Sequence, residues 1–67
     1  MTVILFRKVF VGEGATVENS VIMKSSYIGK GCVIKNAIID KEVVISDNKE
    51  IIGTEEEPIV IGKGQVI

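Results

Sequence analysis

Large aliphatic residues recur along this chain on a grid that belongs neither to a helix nor to a flat sheet. Val11, Val17, Ile22, Ile28, Ile34, Ile39, Ile45 and Ile51 are separated by 6, 5, 6, 6, 5, 6 and 6 residues. Two positions before each anchor stands a mostly small residue: Val9, Ala15, Ser20, Ser26, Cys32, Ala37 and Val43. A buried helix face repeats every 3.6 residues and a strand face every two. A period near six, with a second inward position two residues earlier, fits a short strand that alternates in and out and then turns a corner. Three such sides close one triangular coil. The small residue sits where the corner crowds the interior, and the Ile or Val fills the middle of the side.

The coil itself repeats every seventeen residues. Residues 11–27 (VGEGATVENSVIMKSSY) set above residues 28–44 (IGKGCVIKNAIIDKEVV) are identical at Gly12/Gly29, Gly14/Gly31, Asn19/Asn36, Ile22/Ile39 and Lys24/Lys41. Shifting back another seventeen aligns residues 2–11 with 19–28 and 36–45, and the phrase IGKG returns at 61–64. Self-similarity at a fixed period is the signature of a solenoid, in which each repeat buries its apolar face on its neighbours. Stacked at the inter-strand spacing of roughly 4.8 Å, the coils place equivalent residues in columns: Val11/Ile28/Ile45, Val17/Ile34/Ile51 and Leu5/Ile22/Ile39. Branched side chains with a stiff χ1 suit such columns. The expected fold is an all-β solenoid, a single-stranded parallel β-helix of about four coils occupying residues 1–67.

The same register sorts the surface. Glu13 falls over Lys30 and Glu18 over Lys35, two opposite-charge pairs one strand apart. Arg7, Lys24 and Lys41 instead stack as like charges, which an anion or effector, a partner's carboxylate or splaying into water must relieve. Outward positions beside the Leu5/Ile22/Ile39 column are apolar. Ile4, Phe6, Val21, Met23 and Ile38 share one prism face, and a soluble monomer seldom exposes so much clustered apolar surface. That face is expected to be covered by another domain or subunit.

The pattern breaks after Ile51. Lys49 occupies a slot expected to be small and inward, and Gly53–Pro58 reads as an acidic loop ending in a proline that cannot donate to a ladder. One side resumes at Ile59–Ile61, and Gln65 fills another small slot. Thr2 begins in mid-coil with an apolar strand, so the chain is expected to be a fragment whose first edge is covered by a preceding portion.

Composition narrows the chemistry. Twelve Ile and ten Val against one Leu and two Ala favour strands over helices. Eight basic and nine acidic residues lack the basic excess that nucleic-acid binding needs. No apolar run approaches the roughly 20 residues of a membrane span, and the first ten residues do not read as a signal peptide. The chain has no His and one Cys. That excludes His-assisted nucleophiles, His-ligated zinc, multi-cysteine metal sites and an internal disulfide. The Gly-x-Gly units at 12–14, 29–31 and 62–64 do not open helices and read as coil corners, not phosphate loops. Cys32 sits in an inward slot as an inert thiol, and Glu55–Glu57 read as an exposed charged loop. No catalytic, metal or cofactor residue is expected.

The six-residue shorthand of these sides resembles the hexapeptide repeat of left-handed parallel β-helices. Within that class, TVILFRKVFVGEGATVENSVIM (2–23), IGKGCVIKNAIIDKEVVIS (28–46) and PIVIGKGQVI (58–67) resemble the C-terminal β-helix of bacterial glucose-1-phosphate adenylyltransferase, the closing segment being more similar to the regulatory-type subunit. The resemblance implies a cytoplasmic enzyme of glycogen synthesis that makes ADP-glucose and pyrophosphate from ATP and glucose 1-phosphate. Mg²⁺ and ATP would belong to a nucleotidyltransferase domain absent from these residues. It also implies a tetramer in which the β-helix packs on its own catalytic domain and on sister subunits and takes part in allosteric control, inactive by itself. The alternatives are a hexapeptide-repeat acyltransferase fragment, which would need a histidine, and a free-standing scaffold that self-associates.

Overall fold

The computed structural model describes residues 3–67, and its strands follow the six-residue grid. Ten short strands succeed one another: β1 (Val3–Leu5), β2 (Phe10–Val11), β3 (Thr16–Glu18), β4 (Ser20–Ile22), β5 (Tyr27–Ile28), β6 (Val33–Lys35), β7 (Ala37–Ile39), β8 (Val44–Ile45), β9 (Glu50–Ile52) and β10 (Ile59–Ile61). They form three parallel sheets, ordered β1-β4-β7-β10, β2-β5-β8 and β3-β6-β9. Every third strand therefore returns to the same sheet, one coil further along. These sheets are faces one, two and three of a triangular prism. Register pairs Val11 with Ile28 and Ile28 with Ile45, Val17 with Ile34 and Ile34 with Ile51, and Leu5 with Ile22 and Ile22 with Ile39. All three expected columns are present.

The corners explain why the spacing alternates between six and five. Lys8, Ser25 and Glu42 have φ of 61°, 63° and 58°, and Gly14, Gly31 and Asn48 have 77°, 68° and 60°. Each is the last residue of a turn that links two sides. The third corner is a single left-handed residue, Asn19 (48°) or Asn36 (52°), so this side is one residue shorter. Asparagine tolerates the left-handed region better than other residues with a Cβ. Gly29 serves the second corner differently: a Cβ there would stand 2.7 Å from the Asp47 backbone nitrogen in the next coil.

The interior is a single rod of aliphatic side chains. Ile22, Ile28, Ile34, Ile39, Val43 and Ile45 are fully buried, with Cys32 and Ala37 beside them. The inward serines are paired. Ser26 Oγ donates to the Asp40 carbonyl at 2.7 Å and accepts from the Val43 N–H at 3.2 Å; Ser20 Oγ does the same with the Glu18 carbonyl at 2.8 Å and the Ala37 N–H at 3.1 Å. Each hydroxyl thereby ties one coil to the next.

Two surface expectations change. Glu18 and Lys35 approach to 3.9 Å, but Glu13 and Lys30 do not form an ion pair although they lie one coil apart. Both sit at exposed turn tips, where the weak attraction of a solvated pair does not hold two mobile side chains together. Lys49, in a slot expected to be small and inward, is exposed, as its neighbour β9 is the edge strand of its face. The expected strand start at Thr2 lies outside the described residues.

Candidate functional site: face one and its two edges

Face one carries the apolar surface. Ile4, Val21 and Ile38 lie in register on β1, β4 and β7, and β10 continues the stripe because Val60 pairs with Ile38. Ile4 and Val60, at the two ends, are 47% and 67% exposed, while Val21 and Ile38 are half-buried by their neighbours. Phe6 is exposed and Met23 half-buried immediately beyond the strands. The five expected interface residues are thus on one side of the prism. Val60 also lies exposed on this stripe, at a position the seventeen-residue period does not give. The offset between β7 and β10 is 22 residues, five more than between the preceding coils, and those five residues loop out between Ile52 and Ile59.

That loop forms one edge of face one. Asn36 anchors both of its feet: the Asn36 carbonyl accepts from the Ile59 N–H at 3.1 Å, and the Asn36 side-chain amide donates to the Gly53 carbonyl at 3.1 Å. Gly53 must be glycine, since a Cβ would lie 2.7 Å from the Asn36 carbonyl oxygen. Within the loop, Thr54 Oγ1 accepts from the Glu57 N–H at 2.9 Å. Glu55 and Pro58 stand over the Asn19–Asn36 corner, where two shallow clefts of about 370 and 230 Å³ share Asn19, Asn36 and Glu55. The Asn19 amide donates to Asn36 Oδ1 at 2.6 Å, so the corner is an asparagine ladder.

The opposite edge is basic. Backbone bonds from Ser25 to Arg7, from Glu42 to Lys24 and from Gly64 to Lys41 stack these turns coil on coil. The 22-residue offset, repeated in the Val44–Val66 bridge, places Lys63 after Lys41. Arg7, Lys24, Lys41 and Lys63 therefore form a four-rung ladder of exposed cations, and none has a carboxylate within ion-pair distance. The phrase IGKG at 61–64 occupies this corner, whereas IGKG at 28–31 occupies the next one round. The same local phrase builds two different corners.

Face two carries a smaller apolar column, in which Phe10 and Tyr27 stack with ring centroids 5.0 Å apart. Cys32 is buried, with its thiol 3.1 Å from the Ser46 carbonyl. Among the described residues, no three His, Cys, Asp or Glu side chains converge as a metal cage.

The coil, its aliphatic columns and its parallel strands define a hexapeptide-repeat scaffold, a left-handed parallel β-helix. The chain belongs to the GlmU-like C-terminal hexapeptide family, whose model matches residues 1–58. No curated protein and no solved structure matches it. Family membership makes the chain a β-helix related to C-terminal domains of nucleotidyltransferases.

Proposed function

We propose that this β-helix is the assembly and regulatory module of a sugar nucleotidyltransferase, and specifically of a cytoplasmic glucose-1-phosphate adenylyltransferase that supplies ADP-glucose for glycogen synthesis. The observation that carries the reading is the apolar stripe Ile4–Val21–Ile38–Val60 on a scaffold of the GlmU-like C-terminal hexapeptide family. An outward stripe of branched aliphatics running the height of the solenoid is a surface built to be covered. The module would pack through it on its own catalytic domain or on sister subunits of the tetramer, and would influence activity by biasing their arrangement. ATP, Mg²⁺ and glucose 1-phosphate would be handled by the catalytic domain, and none of that domain's chemistry is assigned to residues 1–67. The specificity within the class rests on the likeness of residues 2–23, 28–46 and 58–67 to that enzyme.

The test is to sequence and express the complete reading frame and to measure pyrophosphate release across a panel of nucleoside triphosphates and sugar 1-phosphates. The expected result is turnover with ATP and glucose 1-phosphate, and none from the 67-residue chain alone. A preference for another sugar or nucleotide removes the adenylyltransferase assignment. A reading frame without a nucleotidyltransferase domain removes the class.

A further inference from the structure

We infer that residues 59–67 have two seatings on the solenoid: a principal one over β7 and β8, and a second, one side further round, over β8 and β9. Exchange between them decides whether β9 or β7 is the open edge, and whether Val60 completes the stripe on face one.

The phrase IGKGQVI (61–67) matches IGKGCVI (28–34) at six of seven positions, yet the two lie on different sides of the prism. In the principal seating 62–64 (GKG) makes a first corner, where the earlier coils have 6–8 (FRK), 23–25 (MKS) and 40–42 (DKE). By residue type it belongs to the second corner, with 12–14 (GEG) and 29–31 (GKG). The turn moves there without rebuilding. Gly64 and Gly14 have φ of 76° and 77°, and the bond from the Gln65 N–H to the Gly62 carbonyl repeats the one from Ala15 to Gly12.

The core accepts either seating. In the principal one Ile59, Ile61, Gln65 and Ile67 lie over Ala37, Ile39, Val43 and Ile45. One side on, with the offset at 16 residues instead of 22, the same residues lie over Val43, Ile45, Lys49 and Ile51. Both Ile-on-Ile contacts are kept, and Gln65 exchanges an apolar neighbour for a polar one. Lys63 leaves Lys41 and comes over Asp47, replacing like charges in a ladder by opposite ones. The loop is long enough. Residues 53–58 give six residues to cross face one, where the coil before uses seven, 36–42, folded through a corner and a turn. The Ile59 N–H bond to the Asn36 carbonyl and the cover over Ile39 hold the principal seating as the major one. A partner lying on Val60 selects that seating by contacts the second lacks. This consequence rests on face one being an interface; the exchange itself does not.

The test traps each seating by a disulfide in the 67-residue chain carrying Cys32→Ala, in a glutathione redox buffer. Val60→Cys with Ile38→Cys reports the principal seating, in which the two are in register. Val60→Cys with Val44→Cys reports the second; in the principal seating these side chains leave different faces and cannot be bridged. Val60→Cys with Tyr27→Cys is the control for fraying. Tyr27 lies directly below Val44, so a loose segment meets both, but in the second seating it is two coils, roughly 9.6 Å, from Val60. The Ile38 pair is expected to close fastest. The Val44 pair is expected to close about 10- to 1000-fold more slowly, as for a minor state, and at least about tenfold faster than the control. Lys63→Glu is expected to slow the Val44 pair about two- to fivefold. Deleting Glu55, Glu56 and Glu57 is expected to bring it down to the control rate while the Ile38 pair still closes, because the principal seating needs only one residue at that corner, as Asn36 shows between Lys35 and Ala37. A Val44 pair no faster than the control, one unaffected by the deletion, or an Ile38 pair that does not close in the full-length chain would each overturn the exchange. Turnover of the complete enzyme bears on parentage and these rates on the seating, so either can fail alone.

Discussion

Ile28 shows what one residue does in this fold. It lies in the middle of its column, fully buried, between Val11 above and Ile45 below. Truncation to Ala removes a branched side chain from a rod that cannot collapse around the gap without breaking ladder hydrogen bonds. The expected cost is about 2–5 kcal/mol, read by urea denaturation, and a loss below about 1 kcal/mol would mean that the column is not packed as described. Ser26→Ala tests a different force. It deletes the hydroxyl that accepts from the Val43 N–H and donates to the Asp40 carbonyl, leaving buried groups unpaired at about 1–3 kcal/mol. Cys32 reports on the coil as a whole. Buried against the Ser46 carbonyl, it is expected to react with a thiol reagent only as the coil opens, so that labelling slows as stability rises. Immediate stoichiometric labelling under native conditions would place the thiol outside the core.

At the scale of the element, the telling unit is the asparagine corner with the loop it anchors. Asn36 holds a left-handed backbone and both feet of the Gly53–Pro58 loop. Asn36→Gly keeps the backbone conformation available but removes the side-chain bond, whereas Asn36→Ala loses both. We expect the alanine variant to be the less stable of the two, with Ala costing about 1–3 kcal/mol. In both variants amide exchange should quicken at Thr54–Glu57. Equal stability of the two variants would show that backbone strain plays no part at this corner.

For the whole molecule, the solenoid geometry makes stability graded along its axis. A coil in the middle is covered on both sides; a terminal one is covered on one. Leu5 belongs to the same column as Ile22, yet it is 51% exposed while Ile22 is fully buried. Stability in such a stack is approximately a sum of repeats and their interfaces. Hydrogen exchange is therefore expected to be slowest for amides of β4–β7 and fastest in β1 and around Val66, a profile that NMR would resolve. Uniform protection from end to end would mean that the chain opens only as one unit.

Much of this could be read from the chain alone, because the six-residue spacing is a local consequence of a strand and a corner. The columns, the inward small slots, Ile59–Ile61 as the last strand and the clustering of Ile4, Val21 and Ile38 all follow once the backbone is assumed to return over itself. Sequence by itself determined the period, the coil and the apolar face. Only the tertiary structure decided where the last coil lands. A loop of five extra residues shifts the register from 17 to 22, and no local pattern counts how many residues leave the ladder. That shift puts Val60 on the stripe and Lys63 on the basic ladder, and it swings the Glu55 carboxylate beside the asparagine corner. It does so because hydrogen bonds from Ile59 and Gly53 to residues 35 and 36, distant in the chain, choose the point of return.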